Sequence, residues 1–216
     1  MSRKILTSRI VEAGAIAIVR VREALSLEPA AEALVRGGIT VLEVTCTTPN
    51  ALPTIEALRR RYGMDLLVGA GSVITEQQVK DVVSAGACFV VSPVTKKCVI
   101  DATHAFDLPV LPGALTPTEA QEADDLGADM VKIFPAGQLG FSYVKALLAP
   151  LPHLKLVPTG GVTPENAGKW IRSGAAAVGI GTALVDVAAI RSGQLSVLTE
   201  RASVLCASIA EARQSV

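Results

Sequence analysis

The 216-residue chain is expected to fold as a single α/β domain, a (β/α)8 TIM barrel with an extra N-terminal helix. Three observations lead there. Eight short β runs alternate with eight helical segments, an order that implies parallel strands joined by right-handed crossovers. The β runs are largely apolar, as strands covered by helices must be. The length suits one large core rather than two. An open doubly wound sheet would alternate in the same way, so the count of eight carries the barrel.

Residues 3 to 13 read as the extra helix, with Ile5, Leu6, Ile10 and Val11 on one face, ahead of a first strand from Ala15 to Val19. Helix Leu27 to Val35 then leads to strand Ile39 to Val44, helix Ala51 to Arg61 to strand Leu66 to Val68, and helix Glu76 to Ser84 to strand Phe89 to Val91. Helix Lys96 to Ala105 leads to Val110 to Leu111, helix Pro117 to Leu126 to Met130 to Ile133, and helix Ser142 to Leu148 to Leu156 to Val157. Helix Pro164 to Ser173 reaches strand Ala176 to Ile180, and residues 184 to 211 close the chain helically. There Leu195, Leu198, Ala202, Leu205 and Ile209 share one face. Gly37-Gly38, Gly86-Ala87, Gly127-Ala128 and Gly174-Ala175 each end a helix before an even-numbered strand, where a left-handed cap needs glycine. No low-complexity linker divides the chain, so residues 1–216 form one domain.

Half the residues are apolar but only 3% aromatic, so the interior is built from Val, Ile, Leu and Ala. Twenty basic and twenty acidic residues cancel, which removes the footprint of a nucleic-acid binder and leaves any anionic ligand to be held locally. Cys46, Cys88, Cys98 and Cys206 show no metal or CxxC spacing and read as reduced thiols; two histidines argue against a His-based metal site. His104 and His153 read as surface residues, and Trp170 as packing. The N-terminus carries charges through its apolar residues, and the longest uncharged apolar run, Ala175 to Val185, is too short and glycine-rich to span a bilayer. A cytoplasmic protein without membrane partners is expected. The mean hydropathy of +0.46 fits either a partner subunit covering apolar surface or a large core.

The chemistry gathers where strands end. In DMVKIFPAG, residues 129 to 137, Val131 and Ile133 face one way while Met130, Lys132 and Phe134 face the other. If the first pair meets the helices, Lys132 points into a strand-lined interior. A buried ammonium is costly, so it finds a carboxylate or gives up its proton, and a neutral amine attacks carbonyls. The alternative is a half-exposed strand with a solvated charge at its edge. Glu43, in VLEVT, should share the same interior, either as proton carrier or as a structural ion pair with Lys132. Other strand ends supply Arg20, Thr45 with Thr47, the GAGS of residues 69 to 72, Ser92-Pro93, Pro112-Gly113, Thr159-Gly160-Gly161, and Gly179 through Gly181 to Thr182. The last two stretches offer glycine backbone at helix starts, which binds phosphate without lysines. Cys46 lies beside this region with no base to activate it.

Taken in order, GITVLEVT, GAGSV, VVSP, VLPGALTPTE, VKIFPAG, LVPTGGV with PENAG, and VGIGTAL resemble the 2-keto-3-deoxy-6-phosphogluconate (KDPG) aldolase family, whose members are often also 4-hydroxy-2-oxoglutarate (KHG) aldolases. The resemblance runs from about residue 14 to 190. It implies a class I aldolase on a homotrimeric barrel, free of metal and cofactor, acting on a small 2-keto acid, commonly phosphorylated. Lys132 maps to the Schiff-base lysine, Glu43 to the proton-shuttling glutamate, and Ser72 to the residue that places the pyruvate carboxylate. Pro93 maps to the family's SP proline and Phe134 to its aromatic wall. Thr159, Gly160, Gly161, Gly181 and Thr182 map to the carbonyl and phosphate contacts. One position departs: many relatives carry an arginine that holds the carboxylate where this chain has Thr47, so Arg20 is expected to supply the cation instead. In this, and in FPAGQLGFSYVKAL, the chain resembles relatives acting on 6-phospho-2-dehydro-3-deoxygalactonate. Two other readings share parts of the pattern. An isomerase or epimerase barrel would use the glycine corner without an imine, and a non-catalytic barrel would tolerate loss of Lys132.

Overall fold

A computed structural model of the chain describes residues 1–214. Its strands are β1 (Ala15–Val19), β2 (Val41–Thr45), β3 (Leu67–Gly71), β4 (Val90–Val91), β5 (Val110–Leu111), β6 (Gly113–Ala114), β7 (Val131–Ile133), β8 (Leu156–Pro158) and β9 (Val178–Ile180). The helices are α1 (Arg3–Ala13), α2 (Glu28–Arg36), α3 (Ala51–Tyr62), α4 (Glu76–Ser84), α5 (Lys97–His104), α6 (Pro117–Asp125), α7 (Phe141–Leu148), α8 (Ala167–Arg172), α9 (Val187–Ser192) and α10 (Ser196–Gln214).

The architecture is α/β with parallel strands throughout. One sheet runs in the order β5-β4-β3-β2-β1-β9 and a second in the order β6-β7-β8. β5 is the expected fifth strand, and β6, which was not expected, carries it on beyond Pro112, which has no N–H to continue a ladder. Between β8 and β9 the Ala176 N–H donates to the Leu156 carbonyl at 2.9 Å, and Thr159 and Gly179 form a single parallel bridge.

Side-chain alternation sorts the buried residues into two clusters. Ala17, Val19, Leu42, Val44, Val131 and Ile133 pack outward against the helices. Ile16, Ile18, Val41, Leu67, Phe89, Val91, Leu111, Met130 and Val157 pack inward against one another. Leu6 and Ile10 of α1 join the inward cluster, so this helix covers the amino ends of the strands. Ile5, expected on the same face, is half exposed; the covering contact is narrower than the sequence suggests.

Other boundaries move for visible reasons. The third strand was expected to stop at Val68, yet it runs through Gly69 to Gly71. A β-carbon at Gly69 would lie 2.4 Å from the Phe89 ring, so glycine there is a packing requirement rather than a turn. α8 begins at Ala167 instead of Pro164, because Thr163 and Asn166 cap each other: Thr163 N–H donates to Asn166 Oδ1 at 2.8 Å and Asn166 N–H to Thr163 Oγ1 at 3.2 Å. The closing helical stretch is broken at Gly193, whose φ is +73°. Gly38, Gly86, Gly127 and Gly174 take the positive φ expected of helix ends, whereas Gly37 does not.

Candidate active site

The strand register brings the two central residues into one interior. In β2 Glu43 sits beside Ile18 of β1 and Gly69 of β3; in β7 Lys132 sits between Gly113 of β6 and Val157 of β8. Lys132 is 6% exposed and Glu43 1%. The edge-charge alternative for Lys132 is therefore overturned, because its strand is buried along its whole length. No hydrogen bond or ion pair joins Lys132 and Glu43 among the described residues, so the structural ion pair is not met either.

Glu43 fits only because β3 is glycine where it passes. A β-carbon at Gly71 would lie 1.7 Å from Glu43 Oε1, a distance no side chain could hold. That oxygen is buried without a protein partner. Burial raises the Glu43 carboxyl above its ordinary value, and the charges of Lys132 and Arg20 pull it back only in part. The site thus contains a buried carboxyl with a free oxygen, able to take or give a proton.

A cavity of about 160 Å³ opens above these residues. Its lining includes Arg20, Lys132, Phe134, Thr159, Gly160, Gly161, Gly181 and Thr182, residues singled out in the sequence from four different strand ends. The Lys132 Nζ lies 5.3 Å from the centre of the Phe134 ring. Ile18, Val162, Ala183 and Val185 also line it and were missed, although strand alternation puts Ile18 on the same side as Arg20. Gly160 and Gly161 have φ of +84° and +78°, and their carbonyls accept from the Gly137 N–H and the Asn166 side chain. The N–H groups of Gly161, Val162, Thr182 and Ala183 donate to no protein group among the described residues. A row of unengaged N–H groups at one rim can receive an anion.

Four expected residues stand outside this lining, the buried Glu43 among them. Ser72, at a left-handed φ of +62°, accepts a hydrogen bond of 3.2 Å from Arg20 Nη2 and so adjoins the cavity through it. Thr47 is exposed and bonded to Thr45 Oγ1 at 3.1 Å. Pro93 is exposed, with its backbone against Gly113. Burial, followed by the charges of Glu43 and Asp81, pushes the Cys46 thiol up to about 11, which leaves it a poor nucleophile. Trp170 packs edge-on to Phe141 with centroids 4.5 Å apart. His104, expected on the surface, is partly buried because Asp129 draws its Nε2 to 3.2 Å. Among the described residues no group of three His, Cys, Asp or Glu is placed to hold a metal ion, and no helix is long and apolar enough to cross a membrane.

Comparison with known proteins agrees with this geometry. Residues 6–200 match the model of the aldolase family described as KDPG and KHG aldolase. The 2-dehydro-3-deoxy-6-phosphogalactonate aldolase of Escherichia coli K12 is 37% identical over 153 residues, covering 70% of this chain and 75% of that protein. The 2-dehydro-3-deoxy-phosphogluconate aldolase of Treponema pallidum is 35% identical over 185 residues, covering 85% and 86%. Among solved structures, the KDPG aldolase of Legionella pneumophila, with pyruvate captured as a covalent carbinolamine, superposes with a TM-score of 0.84 at 34% identity, covering 93% of this chain and 97% of that one. With the motifs, the fold and the match agreeing across most of its length, the chain belongs to the KDPG and KHG aldolase family.

Proposed function

We propose that the protein is a class I aldolase that cleaves 2-keto-3-deoxy-6-phosphogluconate to pyruvate and glyceraldehyde 3-phosphate, and 4-hydroxy-2-oxoglutarate to pyruvate and glyoxylate. The observation that carries this reading is the buried, unpaired Lys132 at the floor of a cavity shared with the field of a buried Glu43 carboxyl.

Neutral Lys132 attacks C2 of the keto acid, and loss of water leaves an iminium. The positive nitrogen draws in the electrons of the C3–C4 bond as it breaks. Glu43, directly or through a water, takes the C4 hydroxyl proton and returns it to C3 of the enamine, after which hydrolysis frees pyruvate and the lysine. One carboxyl serves both steps because they are consecutive. Arg20, steadied by Ser72, holds the substrate carboxylate; Phe134 and Pro93 wall the keto-acid end; Thr159 meets the carbonyl side. Gly160, Gly161, Gly181 and Thr182 receive the phosphate through backbone N–H groups and a hydroxyl. Thr47 takes no charge-bearing part.

A second substrate, 2-dehydro-3-deoxy-6-phosphogalactonate, is favoured by one observation: Arg20 lines the cavity while the family arginine is replaced by Thr47. The remaining expectations belong to the same proposal. Residues 1–216 form one domain whose eight strands close into a barrel, which the Ala176–Leu156 hydrogen bond and the Thr159–Gly179 bridge support. The enzyme works in the cytoplasm as a homotrimer.

The test is mass spectrometry after borohydride reduction with pyruvate. A single adduct is expected on the peptide bearing Lys132 and none in Lys132→Met. An unmodified Lys132 would turn the reading towards an isomerase, an epimerase or a non-catalytic barrel. Rates on the phosphogluconate, phosphogalactonate and hydroxyglutarate substrates then rank the three.

A further inference from the structure

Beneath Arg20 lies a network of hydroxyls whose anchor, Thr48, is 4% exposed and lines no part of the lysine cavity. Thr48 Oγ1 accepts the Val21 N–H at 3.3 Å and lies 3.5 Å from the Val19 carbonyl oxygen. One hydroxyl therefore grips the backbone on both sides of Arg20. The same oxygen is 3.0 Å from Thr45 Oγ1, which is itself 3.1 Å from Thr47 Oγ1.

Each hydroxyl owns one hydrogen, so all these contacts can coexist only if the hydrogens run one way. Thr47 donates to Thr45, Thr45 to Thr48, and Thr48 to the Val19 carbonyl. Thr47 then offers only lone pairs outward, which suits no carboxylate. Arg20 is exposed, with Ser72 as its side-chain partner, while Val19 and Val21 beside it are each 1% exposed. Its placement over the cavity is set from the backbone rather than by packing of its own side chain.

We infer that Thr48 is a positioning residue for substrate binding: by clamping the exit of β1 it fixes where the Arg20 guanidinium meets the keto-acid carboxylate. The inference rests on the aldolase reading, in which Arg20 binds that carboxylate. Thr48→Val keeps the shape but removes the hydroxyl, leaving the Val21 N–H without its acceptor and the β1 exit unclamped. Thr48→Ser keeps the hydroxyl.

The experiment measures steady-state cleavage for Thr48→Val and Thr48→Ser, each alone and combined with Arg20→Ala, beside pyruvate–borohydride trapping of the wild type. Thr48→Val is expected to raise the keto-acid KM about tenfold while kcat changes less than about twofold. Thr48→Ser restores the KM, and on the Arg20→Ala background Thr48→Val adds nothing, as two residues acting through one contact require. An unchanged KM, or an equal rise with and without Arg20, overturns the inference. Should Thr48→Val not fold, Thr48→Ala carries the same expectation. A wild type that forms no trapped adduct sinks the aldolase reading and this inference with it; a trapped wild type with unaltered KM in Thr48→Val sinks this inference alone.

Discussion

Glu43 and Gly71 decide the site between them, because the carboxyl occupies space that any side chain at Gly71 would take. Gly71→Ala should push the carboxyl out of line with the reacting carbon, and a misplacement near 1 Å costs about 100-fold in rate. Kinetics of a variant whose circular dichroism matches the wild type check this, and an undiminished kcat would mean Glu43 is not the proton carrier. The raised Glu43 carboxyl makes a second prediction with a definite sign. Below its ordinary value of 4.5 the group is protonated in both folded and unfolded chains. Above it the unfolded chain loses the proton first, so the native state binds more protons and stability falls as pH rises towards the folded value. Glu43→Gln abolishes that loss along with turnover. Its thermal midpoint should match the wild type near about pH 4 and exceed it at about pH 7, since the desolvation cost of the charge has gone. Equal midpoints at both pH values would show that the buried carboxylate is fully compensated.

The elements were legible in the sequence where one side chain speaks for one face, and illegible where glycine or a capping turn intervened. Alternation placed Val131 and Ile133 outward and Lys132 inward, because β7 is covered by helices on one side. Gly69 and Gly71 carry no such signal, so a strand looked like a loop; only Phe89 and Glu43, remote in the chain, explain them. The Thr45–Thr47–Thr48 network was also hidden, since hydroxyls on a turn reveal no direction until the neighbouring strand is in place. Helix α1 illustrates the same limit: its apolar stripe was visible, yet of its four members Leu6 and Ile10 are buried in the interior cluster, Val11 only packs against it and Ile5 is exposed. Asp129 helps to anchor it, accepting the Val110 N–H at 3.0 Å and pairing with Arg3 at 3.4 Å. Since Ile10 is wholly buried at the amino end of the strands, Ile10→Ala should destabilise the fold by roughly 2–5 kcal/mol in urea unfolding. Turnover at the opposite end should not change; a lost kcat in folded protein would couple the two ends.

At the scale of the molecule, a chain of zero formal charge has little electrostatic repulsion to keep copies apart, and three of its exposed apolar residues fall together. Ile74, Val94 and Leu115 are 39%, 44% and 39% exposed and follow β3, β4 and β6, neighbouring strand ends on one side of the site. Lys96 Nζ donates to the Ile74 carbonyl at 3.3 Å, drawing two of these loops together. An apolar rim of this kind is what a second copy would cover in the proposed homotrimer. Light scattering should then give three times 22.3 kDa, and the value should hold in high salt, because screening weakens charge pairs and not apolar burial. Ile74→Asp combined with Val94→Asp places two carboxylates in that interface without touching the lysine cavity, and the mass should fall to that of one chain. A wild type at 22.3 kDa would remove the trimer, whereas a double variant still at three times that mass would move the interface to another face.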